Sequence, residues 1–342
     1  MVGRRRSHSK HDQAEHSRRI RALDLFCGAG GSSRGATLAG VEIAGAFDAW
    51  DLAAKTHAEN FPSARFYLSP LEDLDPHDVA REVGKIDLIL ASPECTNHGP
   101  AKGNRPRCDI SRNTAFQVVR FAKALKPRWL VVENVISMRK WHRYKEFTAA
   151  LASLGYNIRE EALNSKDFGV PQSRRRLFLL CDLRSAPPRI VAPTGRPRSA
   201  RTIVNLNGAY SWSALRAPRR AQATLERAAR GINALGEHRS FLLVYYGSDH
   251  AGGWQPLTRP LRTITTLDRF AIVKPTTSGH KMRMLQVDEL QAAMGMDGMN
   301  LPHGSRRDRI KMIGNAVCPP VMRAVVEQLT GSTATPSRGT DQ

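Results

Sequence analysis

The sequence predicts an α/β protein: an open, mostly parallel sheet with helices packed against it, interrupted by a module of irregular fold. Three observations predict it. From about residue 21 to 184, short apolar runs alternate with stretches of helical periodicity. Polar residues stand just after several of those runs, at the strand ends where open parallel sheets place their ligands. From about residue 185 the alternation stops, and arginine and proline take over.

The elements follow in order. Leu23 to Phe26 reads as a strand, Gly28 to Gly31 as a tight turn, and Ser32 to Ala39 as the helix that turn opens. Val41 to Phe47 is the second strand, with Asp48 at its end; Asp51 to Asn60 is a helix stopped before Pro62. Ile86 to Ala91 is a buried strand ended by Ser92-Pro93, and Cys95 stands just beyond it, at the head of a polar loop. Thr114 to Leu125 carries Phe116, Val119 and Ala122 at helical spacing and ends at Lys126-Pro127. Trp129 to Val132 is the next strand, tipped by Glu133-Asn134. A right-handed helical crossover between these two strands brings Cys95 and Glu133 to one sheet edge. Tyr144, Phe147, Leu151 and Leu154 mark another helix, closed by Gly155. The stretch DFGVPQSRRR, 167–176, leads into the strand Leu177 to Cys181; Gln172, Arg174 and Arg176 alternate and so share a face when extended.

Between about 185 and 236 Glu226 is the only acid, and Pro187, Pro188, Pro193, Pro197 and Pro218 break regular structure. Leu206, Tyr210, Trp212 and Leu215 are candidates for a small core there. Regular patterning then resumes. Phe241 to Tyr246 is strand-like, Pro260 to Thr266 extended, and Val287 to Met296 helical. Pro319-Pro320 opens a last helix with Val321, Val325 and Leu329 on one stripe, just after Ile313-Gly314-Asn315-Ala316-Val317.

Bulk properties narrow the function. The chain carries 52 Lys and Arg against 31 Asp and Glu, a net charge of +21. Most of the excess is arginine, whose fork matches phosphate oxygens, so a nucleic acid partner is expected. No run of about 18 apolar residues is present, so no membrane-spanning helix is expected. The basic amino-terminal stretch lacks the apolar segment of a secretory leader. The five cysteines are odd in number and scattered, which argues against a disulfide framework and a CxxC-type metal site. A cytoplasmic protein without metal is the expectation.

Three features carry chemistry. A lone cysteine is by default a small buried hydrophobe, but Cys95 at a strand tip under a polar loop suits a nucleophile. The glycine turn lets backbone N–H groups approach a ligand, although Ser33 at the third position departs from a GxGxxG spacing. Asp48, about 20 residues past that turn, stands where a ribose diol is held, or serves as a helix-capping acid.

With these motifs in view, the chain resembles the cytosine-5 DNA methyltransferases. DLFCGAGG at 24–31, the strand end at Asp48, the Cys95 loop, ENV at 133–135, QSRRR at 172–176 and GNAV at 314–317 stand in that family's order. The resemblance implies a Rossmann-like methyltransferase catalytic domain with an inserted, irregular target-recognition module. It implies that Phe26, Gly28, Gly30, Asp48, Asn315 and Val317 bind S-adenosylmethionine. It further implies that Cys95 adds to C6 of a flipped-out cytosine, that Glu133 binds N3 and the amino group, and that Arg174 and Arg176 hold the base and the catalytic loop. The expected partner is double-stranded DNA, bound by a monomer, in a setting such as restriction–modification. The expected layout is a disordered basic tail over 1–18, catalytic domain over 19–184, recognition module over 185–257, a return to the catalytic domain over 258–331, and a disordered tail over 332–342.

The sequence departs from the family at the nucleophile loop. Glu94 stands where the family has proline, and Thr96, His98 and Gly99 replace its usual Gln, Phe and Ser. An anion beside a thiol opposes its ionisation. The acid that meets the cofactor's adenine amino group is not evident near Ser69, with Glu72 and Asp73 as substitutes. Two other readings stand beside the first: the same chemistry on RNA of the tRNA type, and a DNA-binding relative with weakened catalysis.

Overall fold

The computed structural model describes residues 19–93, 114–207, 210–246 and 252–332. Glu94, Cys95 and the rest of that loop lie outside the described residues, as do both expected tails except Ser332.

The main sheet has seven strands. β1 (Arg21–Leu25) is followed by α1 (Gly31–Leu38), β2 (Glu42–Asp48) and α2 (Asp51–Asn60). Next come β3 (Arg65–Leu68), α3 (Pro76–Val83) and β4 (Leu88–Ala91). Then follow α4 (Ala115–Leu125), β5 (Trp129–Asn134), α5 (Tyr144–Ser153), β6 (Asn157–Asn164) and β7 (Arg175–Asp182). The spatial order is β3-β2-β1-β4-β5-β7-β6. The first five strands pair in parallel, and β7 runs antiparallel to both β5 and β6.

Burial on both faces explains the unbroken apolar run of β4. Leu88 and Leu90 pack in one core, with Val131 and Val325; Ile89 and Ala91 pack in the other, with Phe121 and Phe147. α3 begins where Asp75 accepts the His77 N–H at 2.8 Å and Pro76 occupies the first turn. The sequence reading did not contain β3, α3 or β6. β3 is four residues long, and β6 reads NIREEALN, too polar for an apolar run to show.

The second sheet is antiparallel, in the order β10-β9-β11-β12-β8. Its strands are β8 (Ser213–Ala214), β9 (Phe241–Val244), β10 (Trp254–Pro256), β11 (Phe270–Thr276) and β12 (Gly279–Met284). α6 (Gln222–Leu235) packs on it, and Ala228, Phe241, Leu243, Ala271, Val273 and Met282 form its core. This corrects two expectations. The unit is more regular than its composition suggested, because the prolines precede α6 and leave it uninterrupted. It also runs past residue 257 to Met284, because the apolar run of β11 completes this sheet and not the main one. Of the proposed core, Leu215 joins it, whereas Leu206 and Trp212 pack against the larger core shared with the main sheet. Tyr210 instead stacks its ring on the Arg283 guanidinium, 4.6 Å from the centroid.

The chain returns through α7 (Val287–Ala293), α8 (Arg306–Asn315) and α9 (Pro319–Thr330). α8 opens with a capping box between Ser305 and Asp308, a start signal the sequence reading passed over. α9 lies against α1 at a spacing that requires Gly35: a Cβ there meets Met322 Cβ at 2.6 Å and the Pro319 carbonyl at 2.7 Å. The carboxyl-terminal helix thus closes over the glycine turn that precedes α1. No helix among the described residues is long and apolar enough to cross a membrane.

Candidate active site

Three neighbouring strands of the main sheet end side by side. Leu25 of β1 pairs with Ala91 of β4, and Ala91 pairs with Val132 of β5. One position further along, Phe26, Ser92 and Glu133 line a cavity of about 400 Å³. It lies where the strand order reverses between β1 and β4, the place open α/β sheets reserve for ligands.

The turn after β1 shapes one end of the cavity. Phe26 adopts φ 60°, a conformation that costs a non-glycine residue about 1–3 kcal/mol. The strain is held by backbone bonds from Cys27 N–H to Phe47 O (3.0 Å) and from Gly30 N–H to Cys27 O (2.9 Å). Asp48, at the end of β2, accepts the Gly28 N–H and the Trp50 N–H, each at 2.9 Å. Burial pushes its carboxyl above the usual range, while those bonds and Lys311 hold it back. Asn315, the last residue of α8, and Val317, between α8 and α9, complete this end with Phe47 and Trp50.

A buried polar chain supports the turn from beneath. The Ser33 hydroxyl donates to Asp24 at 2.6 Å and faces His57 Nε2 at 3.0 Å. Where Asp24 is ionised, above about pH 7, Ser33 gives it its proton and can only accept from His57, which selects the Nε2–H tautomer there. Burial raises Asp24 to about 7 and lowers His57 to about 4. Gly30, expected to contact a cofactor, packs closely against this polar chain. Its φ is +93°, and a Cβ there meets the Phe61 ring at 2.5 Å and His57 at 3.0 Å.

Glu133 forms the other end. It is buried, and Arg176 Nε lies 3.2 Å from its Oε1. Burial raises the Glu133 carboxyl above its ordinary range; the Arg176 and Arg174 guanidiniums oppose that rise. Asn134 donates to the Pro93 carbonyl at 3.0 Å and so fixes the chain just before Glu94 and Cys95.

The QSRRR stretch divides its labour. Arg176 meets Glu133, a contact the alternation did not specify. Arg174 also lines the cavity, but its guanidinium donates to three carbonyls: Ile264 (2.9 Å), Gly314 (2.8 Å) and Ala316 (3.2 Å). These bonds brace the segment carrying Asn315 and Val317, a role the expected grip on a base had not included. Gln172 lies outside the cavity, bonded to Ala293 O (3.1 Å) and Ile264 N (2.9 Å).

Several lining residues escaped sequence reading. Lys311 projects from α8 into the cavity, its ammonium 4.1 Å from the centre of the Trp50 ring. It stands four residues before Asn315, one helical turn away, which would have flagged it had α8 been recognised. Of the two acids after β3, Glu72 lines the cavity, and Asp73 is not among the lining residues. Cys27, Cys181 and Cys318 are free and buried. Among the described residues no group of three His, Cys, Asp or Glu is placed to hold a metal ion.

Comparison with known proteins gives consistent matches. The model of the C-5 cytosine-specific DNA methylase family matches residues 20–331. Type II methyltransferase M.HindV of Haemophilus influenzae is 34% identical over 174 residues, covering 48% of this chain and 54% of the relative. Type II methyltransferase M.DdeI of Desulfomicrobium norvegicum is 35% identical over 166 residues, covering 46% and 39%. The chain therefore spans about half or less of the length of these curated relatives. Among solved structures, Spodoptera frugiperda DNMT2 superposes with a TM-score of 0.67 at 18% identity, covering 91% of this chain and 99% of the other. A prophage-encoded DNA modification methyltransferase from E. coli gives 0.66 at 18% identity, covering 92% and 99%. At that identity both establish the shared fold.

Proposed function

The chain belongs to the C-5 cytosine-specific DNA methylase family, and from that premise we propose that it methylates C5 of a cytosine flipped out of double-stranded DNA. The observation that carries the proposal is a single cavity with a nucleoside-suited end at Phe26, Asp48, Asn315 and Val317 and a buried acid, Glu133, at the other.

The family uses S-adenosylmethionine as methyl donor, and the residues present fit it. Asp48 keeps lone pairs for a ribose diol, the rings of Phe26, Phe47 and Trp50 suit an adenine, and a Cβ at Gly28 meets nothing within 4 Å. Gly30 supports this end from behind. When bound, the cofactor supplies an electrophilic methyl group.

The remaining chemistry falls to the chain's own residues. Cytosine C5 is a poor nucleophile while the ring is aromatic. Addition of the Cys95 thiolate at C6 breaks that aromaticity and leaves C5 as an enamine carbon. A Glu133 carboxyl holding a proton donates to N3 and accepts from the exocyclic amino group, stabilising the adduct. Removal of the C5 proton then expels the thiolate. Arg176 orients Glu133, and Arg174 holds the segment behind it. The base must leave the duplex for its ring atoms to be reached. In this reading the antiparallel unit and the arginine-rich stretch from 185 onward supply sequence recognition, and the protein acts as a monomer without metal in a restriction–modification setting.

Labelled S-adenosylmethionine should transfer its methyl group to DNA and not to tRNA, and bisulfite sequencing of the product should give the site. Duplexes carrying 5-fluorocytosine at that site should trap the enzyme, with the adduct on Cys95 by mass spectrometry. Cys95→Ser should abolish transfer while leaving cofactor affinity unchanged. Transfer to tRNA alone, or an adduct on Cys27, Cys108, Cys181 or Cys318, would refute the proposal.

A further inference from the structure

Ser92 belongs to none of the motifs used so far. It follows β4, and its N–H donates to Leu25 O at 3.1 Å, so the strand direction carries it into the cavity. Its hydroxyl oxygen is buried and has no hydrogen-bond partner among the described residues. A buried hydroxyl without a partner costs about 1–3 kcal/mol, so an orphan lining a ligand cavity points to a ligand atom.

Its place in the sheet says which atom. Across the edge the order is Phe26, Ser92, Glu133, on adjacent strands β1, β4 and β5. Neighbouring strands lie about 4.8 Å apart, so Ser92 and Glu133 reach the same edge of one six-membered ring. Along that edge of cytosine the order is N3, the exocyclic amino nitrogen, then C5. Glu133 is the group suited to N3, and C5 must face the cofactor end at Phe26. The atom between them is the amino nitrogen, and the residue between them is Ser92.

We propose that Ser92 is a base-recognition residue whose hydroxyl accepts a hydrogen bond from the exocyclic amino group of the target cytosine. The inference rests on the methyltransferase reading above. A hydroxyl also donates, so Ser92 can turn its own proton toward a second acceptor while receiving this bond.

The test pairs a protein change with a base change. Once the methylated site is mapped, two duplexes are made, one with cytosine at the target and one with pyrimidin-2-one, which lacks the amino group. Binding is measured with S-adenosylhomocysteine present. Ser92→Ala should weaken binding of the cytosine duplex roughly five- to tenfold, as loss of one buried hydrogen bond implies. It should not weaken binding of the pyrimidin-2-one duplex, and Ser92→Thr should restore most of the loss. Affinity for S-adenosylhomocysteine alone should stay at the wild-type value, which also certifies the fold. An equal loss on both duplexes, or a loss of cofactor affinity in its place, would overturn the Ser92 assignment with the wild type still active. A wild type that methylates no DNA cytosine would overturn the functional reading and this inference together.

Discussion

Replacing Arg174 should damage the protein in two separable ways. The side chain is only 4% exposed, and it donates to the carbonyls of Ile264, Gly314 and Ala316 at 2.9, 2.8 and 3.2 Å. Arg174→Met keeps most of the stem volume and removes all three donors. A hydrogen bond from a charged group contributes about 1.5–3 kcal/mol, and part is recovered as water reaches the carbonyls, so a loss of about 3–6 kcal/mol is expected. Against a usual total of about 5–15 kcal/mol this is a large fraction, and the urea midpoint should fall accordingly. Gly314 and Ala316 flank Asn315, which lines the cavity, so affinity for S-adenosylhomocysteine should drop about tenfold as well. Arg174→Lys should recover only part of either loss, because one ammonium cannot reach three carbonyls in fork geometry. Urea unfolding and calorimetry measure the two effects. A methionine variant that unfolds at the wild-type urea concentration would show that the guanidinium does not brace this segment.

Other outcomes follow from the same contacts. Asp48→Ala should weaken S-adenosylmethionine binding by about 1.5–3 kcal/mol, and Asp48→Asn, which keeps one acceptor oxygen, by less; unchanged affinity by calorimetry would reject the assignment. The buried pair Asp24 and His57 should show opposite pH dependence. Asp24, raised from 3.8 to about 7, remains protonated in the fold while the unfolded chain ionises, so its contribution falls as pH rises through that window. His57, lowered from 6.5 to about 4, stays neutral in the fold while the unfolded chain protonates, so its contribution grows as pH rises from about 4 to 6.5. His57→Phe should expose the Asp24 slope, so that stability relative to wild type falls by up to about 1.4 kcal/mol per pH unit between those limits; urea midpoints parallel to wild type across that range would contradict it. Arg176→Leu removes the nearest cation opposing the rise of Glu133, so the alkaline limb of the kcat profile should move to higher pH, and a limb that moves down would show the pair is not coupled as described.

The parts legible from sequence were those with strong local signals. β1, β2, β4 and β5 are apolar and buried on both faces, and α2 carries its own stop at Pro62. Asp48, Glu133 and Arg176 were legible as candidates, and they line one cavity, because each falls beside a strand end at this edge. What was lost depends on long-range pairing. β6 owes its place to β7 and not to any apolar content, and α8 buries only Ile310, Met312, Ile313 and Gly314 amid charged neighbours. Missing α8 hid Lys311, and missing β3 hid Pro70 and Leu71, which line the cavity between the Ser69 and Glu72 that the sequence had singled out. The packing need at Gly30 was not legible, because a glycine that approaches a ligand and one that makes room for a histidine and a phenylalanine look alike in sequence.

The state of Glu133 follows from a competition that the geometry sets up. N3 of neutral cytosine is an acceptor, so an ionised carboxylate would meet it lone pair to lone pair, whereas a protonated one donates to N3 and accepts from the amino group. Burial drives the carboxyl toward the protonated form, and Arg176 at 3.2 Å pulls the other way. With the cation absent the carboxyl would hold its proton tightly and share it poorly with N3 as the adduct forms. With the cation present and burial absent it would be ionised before the base arrived. The raised but opposed carboxyl suits an acid whose proton must move toward the ring during the reaction and return afterwards. The two features belong together for this reason: Glu133 on β5 is buried by the parallel core, and Arg176 reaches it because β7, alone on that side, runs antiparallel and brings its amino-terminal end to the same edge.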